Sequence, residues 1–156
     1  MDTSLLTRGL VRFDWDVEDQ RAVFAGMAAV LQAEGFVKKS FEAAIVAREA
    51  KYPTALPTVP EAIAIPHADA EHILTPFIAP LRLAHPVPWS EMGNDKATHP
   101  VRLVFMLGLD KAEGQLEVLQ AVVQAFQDSE FVSRLNSAST AEEYFAAVQS
   151  IGAFVG

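Results

Sequence analysis

The sequence predicts a single layered α/β domain, in which short apolar strands alternate with amphipathic helices. Three observations support this fold class. The chain has 156 residues and is 51% apolar, which suffices for one domain whose core needs no metal or disulfide. Apolar residues recur at helical spacing in some segments and form short continuous runs in others. No repeat, linker or low-complexity segment divides the chain, so we expect one domain over residues 1–156.

The first half of the chain predicts two helices between two strands. Asp16 is the expected N-cap of the first helix, which Gly35 ends, and Ser40 is the expected N-cap of the second, which Pro53 ends. A proline-rich stretch at 53–60 then leads to the second strand. The predicted elements are a strand at 10–13, a helix at 17–34, a helix at 41–52 and a strand at 62–65.

The second half of the chain predicts two further strands followed by helices. Between those strands, residues 86–100 are rich in Pro, Gly, Asn and Asp, and we expect them to form an irregular excursion over the surface. The predicted elements are strands at 77–84 and 101–109, a long helix at 112–127, a short helix at 130–135 and a last helix at 141–149.

Charge and composition exclude several classes of function. The net charge of −8, from 20 acidic and 12 basic residues, argues against a nucleic-acid partner, which requires a clustered basic face. No apolar run approaches the roughly 18 residues that a membrane-spanning helix needs, so we expect a protein that is not embedded in a membrane. The N-terminal residues lack the pattern of a signal peptide, and the chain has no cysteine. Both observations fit a cytoplasmic protein.

The stretch Ile63–His67 carries the clearest chemical signal. Pro66 restricts Ile65 to an extended conformation, so a buried strand ends by presenting His67 on a rigid mount. Ligands usually bind beyond the strand ends of α/β sheets, and a neutral imidazole is a nucleophile at cellular pH. From spacing alone, a structural histidine bonded to backbone groups is the stronger interpretation of His67.

Arg48 is the charged residue that we expect to accompany His67. It follows two apolar residues, Phe41 and Ile45, by seven and three positions, which places it on the inward face of the second helix. Its guanidinium could bind phosphate oxygens and offset the negative charge of the protein. Alternatively, Arg48 reaches solvent or pairs with Glu49 or a distant carboxylate.

Three side chains at and near His67 are residue types that bind metals. Asp69 and His72 follow His67 by two and five positions. This spacing matches no familiar zinc pattern, and the chain offers no cysteine. We therefore expect no metal at this site.

Two blocks of sequence resemble one known protein family. The first block comprises Arg48-Glu49, Tyr52-Pro53-Thr54 and Ile63 to His67. The second block comprises Pro86 to Trp89, Glu91 to Asn94, Val101 to Leu107 and Gln115 to Gln120. The first resembles the signature of the fructose–mannitol class of enzyme IIA domains, the EIIA type-2 domains of the bacterial phosphoenolpyruvate-dependent sugar phosphotransferase system (PTS). The second resembles the galactitol-type branch of that class, and together the blocks make the resemblance span residues 5–150.

The resemblance implies a three-layer fold, with a mixed β-sheet flanked by helices, and a transferase that carries phosphate without a cofactor. It implies that His67 accepts a phosphoryl group on Nε2 from the phosphocarrier protein HPr. His67 then passes the group to a cysteine of a IIB component, which phosphorylates the sugar during uptake. Arg48 is expected to stabilise the phosphate. Many family members have a second histidine where this chain has Gln115, so we expect no two-histidine mechanism here.

Two neutral residues are further candidates for the same site. Gln115 could donate a hydrogen bond to His67 or to the phosphate near a helix N-terminus, or it could pack against backbone. Thr54 could donate its hydroxyl to the phosphate or orient the imidazole. Alternatively, Thr54 is a turn residue after Pro53.

Two other functions remain open on the sequence. A regulatory module of the same fold would signal to another protein through the phosphorylation of His67, instead of supplying phosphoryl groups for sugar transport. A non-catalytic domain that binds a small ligand or a protein would use His67 structurally.

Overall fold

The computed structural model describes residues 5, 6, 8–109 and 112–151, with side chains except at 8 and 112–115. The helices are α1 (Gln20–Ala33), α2 (Phe41–Lys51), α3 (Ala112–Phe126), α4 (Ser129–Ser137) and α5 (Ala141–Gln149). The strands are β1 (Arg12–Trp15), β2 (Ala55–Leu56), β3 (Ile63–Ala64), β4 (Phe77–Glu91) and β5 (Asn94–Gly108). Short 3-10 turns lie at Arg8–Leu10 and Ala70–His72. None of the described helices is long and apolar enough to cross a bilayer.

The five strands form one mixed sheet around a long antiparallel hairpin of β4 and β5. β1 lies parallel to β4 on one side, and β3 lies parallel to β5 on the other. β2, which the sequence does not predict, pairs antiparallel with β3. Its Ala55 also pairs with Glu91 at the far end of β4. The tip of the hairpin therefore lies beside the segment that links α2 to β3.

Helices cover both faces of this sheet, which confirms the predicted three-layer α/β fold. On one face, α1 and α2 pack over a core that contains Phe24 and Phe41. On the other face, α3, α4 and α5 pack over a core that contains Phe105, Phe126 and Tyr144. Because the sheet is buried on both faces, the inner half of β5 is a nearly continuous apolar run instead of an alternating one.

The helices follow the predicted order, with one correction to the start of the first. The N-cap of α1 is Asp19, not Asp16: the Asp19 carboxylate accepts a hydrogen bond from the N–H of Ala22 at 2.9 Å. An N-cap side chain reaches the second or third N–H of a helix, and Asp16 precedes the helix by too many residues to do so. Gly35 follows α1 at φ +82°, a left-handed conformation that favours glycine, and so ends the helix.

The predicted surface excursion at 86–100 is wrong, because this segment forms the outer half of the β4–β5 hairpin. Its prolines are compatible with pairing. Pro88 and Pro100 lie directly opposite each other. Antiparallel strands contain opposite pairs that exchange no backbone hydrogen bonds, and at such a pair two prolines, which have no N–H, remove no bond. Val87 and Trp89 are buried while their proline neighbours are exposed, so this half of β4 has the alternation of a strand.

Arg82 of β4 is a buried charge that joins the sheet to α4. Its guanidinium donates to Oδ1 of Asp14 at 2.8 Å and to the carbonyl oxygens of Leu135 and Asn136 at 3.0 and 3.1 Å. The two carbonyls lie in the last turn of α4, where a helix leaves acceptors unpaired. The hydrogen bond from Arg82 also holds the pKa of Asp14 below its ordinary value. Arg82 therefore caps α4.

Candidate functional site

His67 lies directly beyond β3, where the sequence predicts the strand to end. The N–H of Leu107 in β5 donates to the carbonyl oxygen of Pro66 at 3.0 Å, so backbone pairing continues past the last residue of β3. His67 is 7% exposed. The backbone that presents the imidazole is thus fixed on one side by the Pro66 ring and on the other by the sheet.

One hydrogen bond orients the imidazole of His67. Nδ1 lies 2.9 Å from the carbonyl oxygen of Ile65. Because a carbonyl oxygen only accepts, Nδ1 carries the proton, and the lone pair of the neutral ring is on Nε2. Burial lowers the pKa of His67 below its ordinary value of 6.5, although the Ile65 carbonyl opposes that shift. At neutral pH the ring is therefore uncharged, with Nε2 available as a nucleophile.

His67 opens into a cavity of about 560 Å³ that is walled mostly by apolar side chains. One wall comes from α2 and the segment after it, another from α3, and a third from the hairpin tip. The lining residues are Arg48, Tyr52, Pro53, Thr54, Ile65, His67, Met92, Leu119, Gln120, Val123 and Gln124. In such surroundings a charged group is poorly screened and depends on the few polar side chains that face it.

Arg48 is the one cation that lines the cavity in the part of the chain that the structure describes. Its Nη1 donates to Oδ1 of Asp69 at 2.8 Å, and the Tyr52 ring centre lies 5.6 Å from the guanidinium carbon. Its Nε is buried and has no acceptor. The structure thus contains the pairing with a carboxylate that the sequence leaves open, and it also leaves part of the guanidinium unpaired. Nη2 of Arg48 bonds to no described residue and is not buried, so this nitrogen is free to donate to an anion in the cavity.

Thr54 lines the cavity, but its hydroxyl is already engaged. Its Oγ1 donates to Oε1 of Glu49 at 2.7 Å, and its backbone N–H donates to Oε2 at 2.6 Å. Burial raises the pKa of the Glu49 carboxyl. The indole N–H of Trp89 partly opposes this rise in pKa, although it makes no regular hydrogen bond to the carboxylate. Thr54 fixes the cavity wall in this way, and its direct contact with a phosphate stays a prediction.

Gln115 lies near the start of α3, and its side chain is outside the described residues. Its predicted role at the site stays a prediction. Two other glutamines of α3, Gln120 and Gln124, do line the cavity. They are one helical turn apart, and they bring carboxamide donors to a wall that faces the same space as Arg48.

The sequence also misses the contributions of Met92 and Glu49 to this site. Met92 lies in the segment predicted to be an excursion, yet its N–H donates to the carbonyl oxygen of Ala55 at 2.8 Å, which brings it to the cavity. Glu49 is buried and holds the segment after α2. The sequence does contain a signal for Glu49, because it follows the buried Ile45 by four positions and so shares its helix face.

The histidine nearest to His67 along the chain makes a separate contact. Nδ1 of His72 lies 2.7 Å from Oγ of Ser40. This contact explains why Ser40, although it precedes α2 as predicted, makes no side-chain capping bond to the helix. Among the described residues, no group of three or more His, Asp or Glu side chains could hold a metal ion.

This arrangement suits the transfer of an anionic group through Nε2 of His67. The nucleophile is uncharged and held in one tautomer, which removes the need for a separate base. Arg48 offers positive charge beside it, and the glutamines of α3 offer neutral donors. Phosphoryl transfer asks mainly for such positioning and charge stabilisation.

This chain is similar in sequence and fold to known phosphotransferase proteins. The family model described as "Phosphoenolpyruvate-dependent sugar phosphotransferase system, EIIA 2" matches residues 4–151. The galactitol-specific EIIA component of the PTS of Escherichia coli K12 is 29% identical over 130 residues, which cover 83% of this chain and 86% of that protein.

Two solved structures have the same fold. The first is a complex of enzyme IIAMTL and phosphorylated enzyme IIBMTL from Escherichia coli, with a TM-score of 0.70 and 19% identity, covering 92% of this chain and 98% of that one. The second is the nitrogen regulatory protein IIA-Ntr from Neisseria meningitidis, with a TM-score of 0.72 and 25% identity, covering 95% and 96%.

Proposed function

We propose a function from the premise that this chain belongs to the EIIA 2 family of the phosphoenolpyruvate-dependent sugar phosphotransferase system. It is a phosphotransferase component of a sugar PTS, as the sequence predicts. We assign the phosphoryl group to Nε2 of His67. The observation that carries this assignment is the hydrogen bond between Nδ1 and the Ile65 carbonyl, which leaves Nε2 as the free nucleophile of the cavity.

In the first transfer, phosphorylated HPr is the donor. The Nε2 lone pair of His67 attacks phosphorus, the bond between phosphorus and the donor nitrogen breaks, and its electron pair returns to the donor ring. Nδ1 keeps its proton, so the phosphorylated ring of His67 is cationic and its N–H stays bonded to Ile65. The phosphoryl group brings a charge of about −1.5 to −2, which Arg48 offsets.

In the second transfer, the phosphoryl group moves on to a cysteine of a IIB component. The thiolate attacks phosphorus, the phosphorus–Nε2 bond breaks, and the electron pair returns to the imidazole. Because Nδ1 is protonated, the ring leaves as a neutral imidazole and not as an anion, which lowers the barrier to donation. We place both transfers in the cytoplasm, in keeping with a chain that has no cysteine.

An apolar rim beside the cavity is suited to brief contacts with both partners. Tyr52, Met92 and Leu116 are large apolar residues that are 55%, 42% and 60% exposed. Tyr52 and Met92 line the cavity, and Leu116 precedes its lining residue Leu119 by three positions on α3. Exposed apolar residues grouped around a reactive atom mark an interaction surface.

The test is phosphorylation with phosphoenolpyruvate, enzyme I and HPr, followed by analysis for phosphate that is labile in acid and stable in base. We expect wild type to gain about one phosphate and His67→Ala to gain none. His72→Ala is the matched control, because His72 is five positions away and contacts Ser40 instead of the cavity. If wild type gains no phosphate, or if His67→Ala gains as much as wild type, the assignment is wrong.

A regulatory role is the second candidate, and the similarity to the nitrogen regulatory protein IIA-Ntr favours it. Adding IIB proteins of the organism to the phosphorylated chain separates the two roles. A carrier for transport loses its phosphate to a IIB cysteine. A regulator keeps the phosphate in the presence of every IIB protein and binds another protein in only one of its two states.

A further inference from the structure

Asp69 pairs with Arg48 and so uses part of the positive charge that a phosphate on His67 would need. It follows His67 by two positions, and its carboxylate accepts a hydrogen bond from Nη1 of Arg48 at 2.8 Å. The two side chains are 66% and 32% exposed, so the pair is neither buried nor fully solvated. Arg48 is the cation that lines the cavity among the described residues, and Asp69 therefore partly neutralises the group that is best placed to bind phosphate.

The contact with Asp69 uses only one of the guanidinium nitrogens of Arg48. Its Nη2 bonds to no described residue and is not buried, so the guanidinium can bind a phosphate oxygen there and still contact Asp69 through Nη1. A carboxylate and a phosphate would then share one cation. Sharing weakens the hold on the phosphate, because the two negative charges repel each other and compete for one cation, an effect that the exposure of Asp69 keeps modest.

We propose that Asp69 is a positioning residue that acts through Arg48 to set how tightly His67 holds its phosphoryl group, keeping the phosphohistidine ready to donate. This inference rests on the proposed function. A carrier has to release what it accepts, and a guanidinium free of competition would retain the phosphate. The charges already act on the unmodified ring: Arg48 lowers and Asp69 raises the pKa of His67, each less than burial lowers it.

The test measures the equilibrium of phosphoryl exchange between HPr and this protein. Asp69→Asn keeps an oxygen that can accept from Arg48 but removes the negative charge. We expect the equilibrium to shift about two- to fivefold towards phosphorylated His67, the size expected for a partly exposed ion pair. Glu71→Gln is the control, since that carboxylate lies near His72 and does not contact Arg48. It should leave the equilibrium unchanged.

A double-mutant cycle shows whether the effect passes through Arg48. In an Arg48→Gln background, Asp69→Asn should change the equilibrium much less than in wild type. The pKa of the unphosphorylated imidazole gives a readout that needs no phosphate, and Asp69→Asn should lower it because a neighbouring negative charge is lost.

Three outcomes overturn the proposal: an unchanged equilibrium in Asp69→Asn, a shift towards phosphorylated HPr, or a shift of equal size with and without Arg48. Failure of the proposed function is a different result, because wild type would then carry no phosphate at His67. In that case an unchanged imidazole pKa in Asp69→Asn would also overturn the coupling itself.

Discussion

The carboxylate of Glu49 accepts both donors of Thr54, the backbone N–H at 2.6 Å and the hydroxyl at 2.7 Å. Glu49 lies near the end of α2, directly after Arg48, which lines the cavity. Thr54 forms part of the cavity wall. The pair therefore joins the end of α2 to the segment that leads to His67. Buried carboxylates normally need such partners, because burial alone favours the uncharged form.

Removing this carboxylate should damage both stability and transfer. Glu49→Ala leaves two buried donors without acceptors, and each such loss costs about 1–3 kcal/mol. Glu49→Gln keeps one acceptor oxygen and the shape of the side chain, so it should lose less. Urea unfolding and the rate of His67 phosphorylation, measured on both variants, check the order. Equal behaviour of Glu49→Ala and wild type would show that the contact has no role.

Arg48 should affect transfer far more than folding. Its side chain makes one hydrogen bond, to the exposed Asp69, whereas hydrogen bonds to a charged phosphate contribute about 1.5–3 kcal/mol each. We expect Arg48→Ala to slow phosphorylation of His67 or shorten the lifetime of the phosphohistidine by about 10- to 100-fold. Arg48→Lys should recover part of this loss, since it restores charge without the forked geometry.

The measurement for Arg48 is the transfer rate and phosphate half-life, together with the unfolding midpoint. An unfolding midpoint that drops as far as that of Glu49→Ala would make the arginine structural. Transfer rates and phosphate lifetimes equal to those of wild type would contradict the assignment.

Much of the fold is readable from the sequence, because apolar periodicity and short apolar runs report burial directly. The hairpin tip is not. The prolines and polar residues of 86–100 have the composition of a loop, and only their register, with Pro88 opposite Pro100, makes them a strand pair. The contribution of Met92 to the cavity depends on that long-range pairing and on its bond to Ala55. No local pattern encodes such contacts.

The same distinction holds for the site. The position of His67 is predictable because Pro66 restricts the backbone immediately before it. The orientation of Arg48 is predictable because helical spacing places it on the inward face of α2. The partner of Arg48 is not predictable, since Asp69 is 21 positions away and exposed. The engagement of the Thr54 hydroxyl by Glu49 is also unpredicted, although the two are only five positions apart. The end of α2 and the start of the next segment have to be placed before that contact is visible.

His67 should titrate below 6.5 and carry its proton on Nδ1 when neutral. Burial lowers the pKa, so the uncharged nucleophile persists to a lower pH than for a free imidazole and is lost only as the pH falls through the lowered value. Nitrogen NMR of ring-labelled protein reports both the tautomer and the pKa. A proton on Nε2 would contradict the orientation by Ile65, and a pKa above 6.5 would contradict the dominant effect of burial.

Gly108 at the end of β5 should not tolerate a side chain. A Cβ there would overlap the ring of Phe77, which is itself buried between the sheet and α2. Overpacking of a core costs about 1–3 kcal/mol, so Gly108→Ala should lower the free energy of unfolding by that amount. Gly9→Ala is the control, because a Cβ at Gly9 meets nothing within 4 Å. A Gly108→Ala protein as stable as Gly9→Ala would contradict the packing.

The apolar rim should matter for partner binding and not for the chemistry of His67. Met92→Glu places a negative charge on the hairpin tip, where Met92 is 42% exposed and next to the cavity. Loss of an apolar contact at an interface costs about 1–2 kcal/mol, so the KM for phosphorylated HPr should rise about tenfold while kcat changes little.

Val59→Glu is the matched control. Val59 is 67% exposed, but it lies between β2 and β3 and so precedes β3, whereas His67 follows β3. If Val59→Glu raises KM as much as Met92→Glu, the effect reflects net charge and not the rim. A fall in kcat without a change in KM would place Met92 in the transfer step instead of the docking surface.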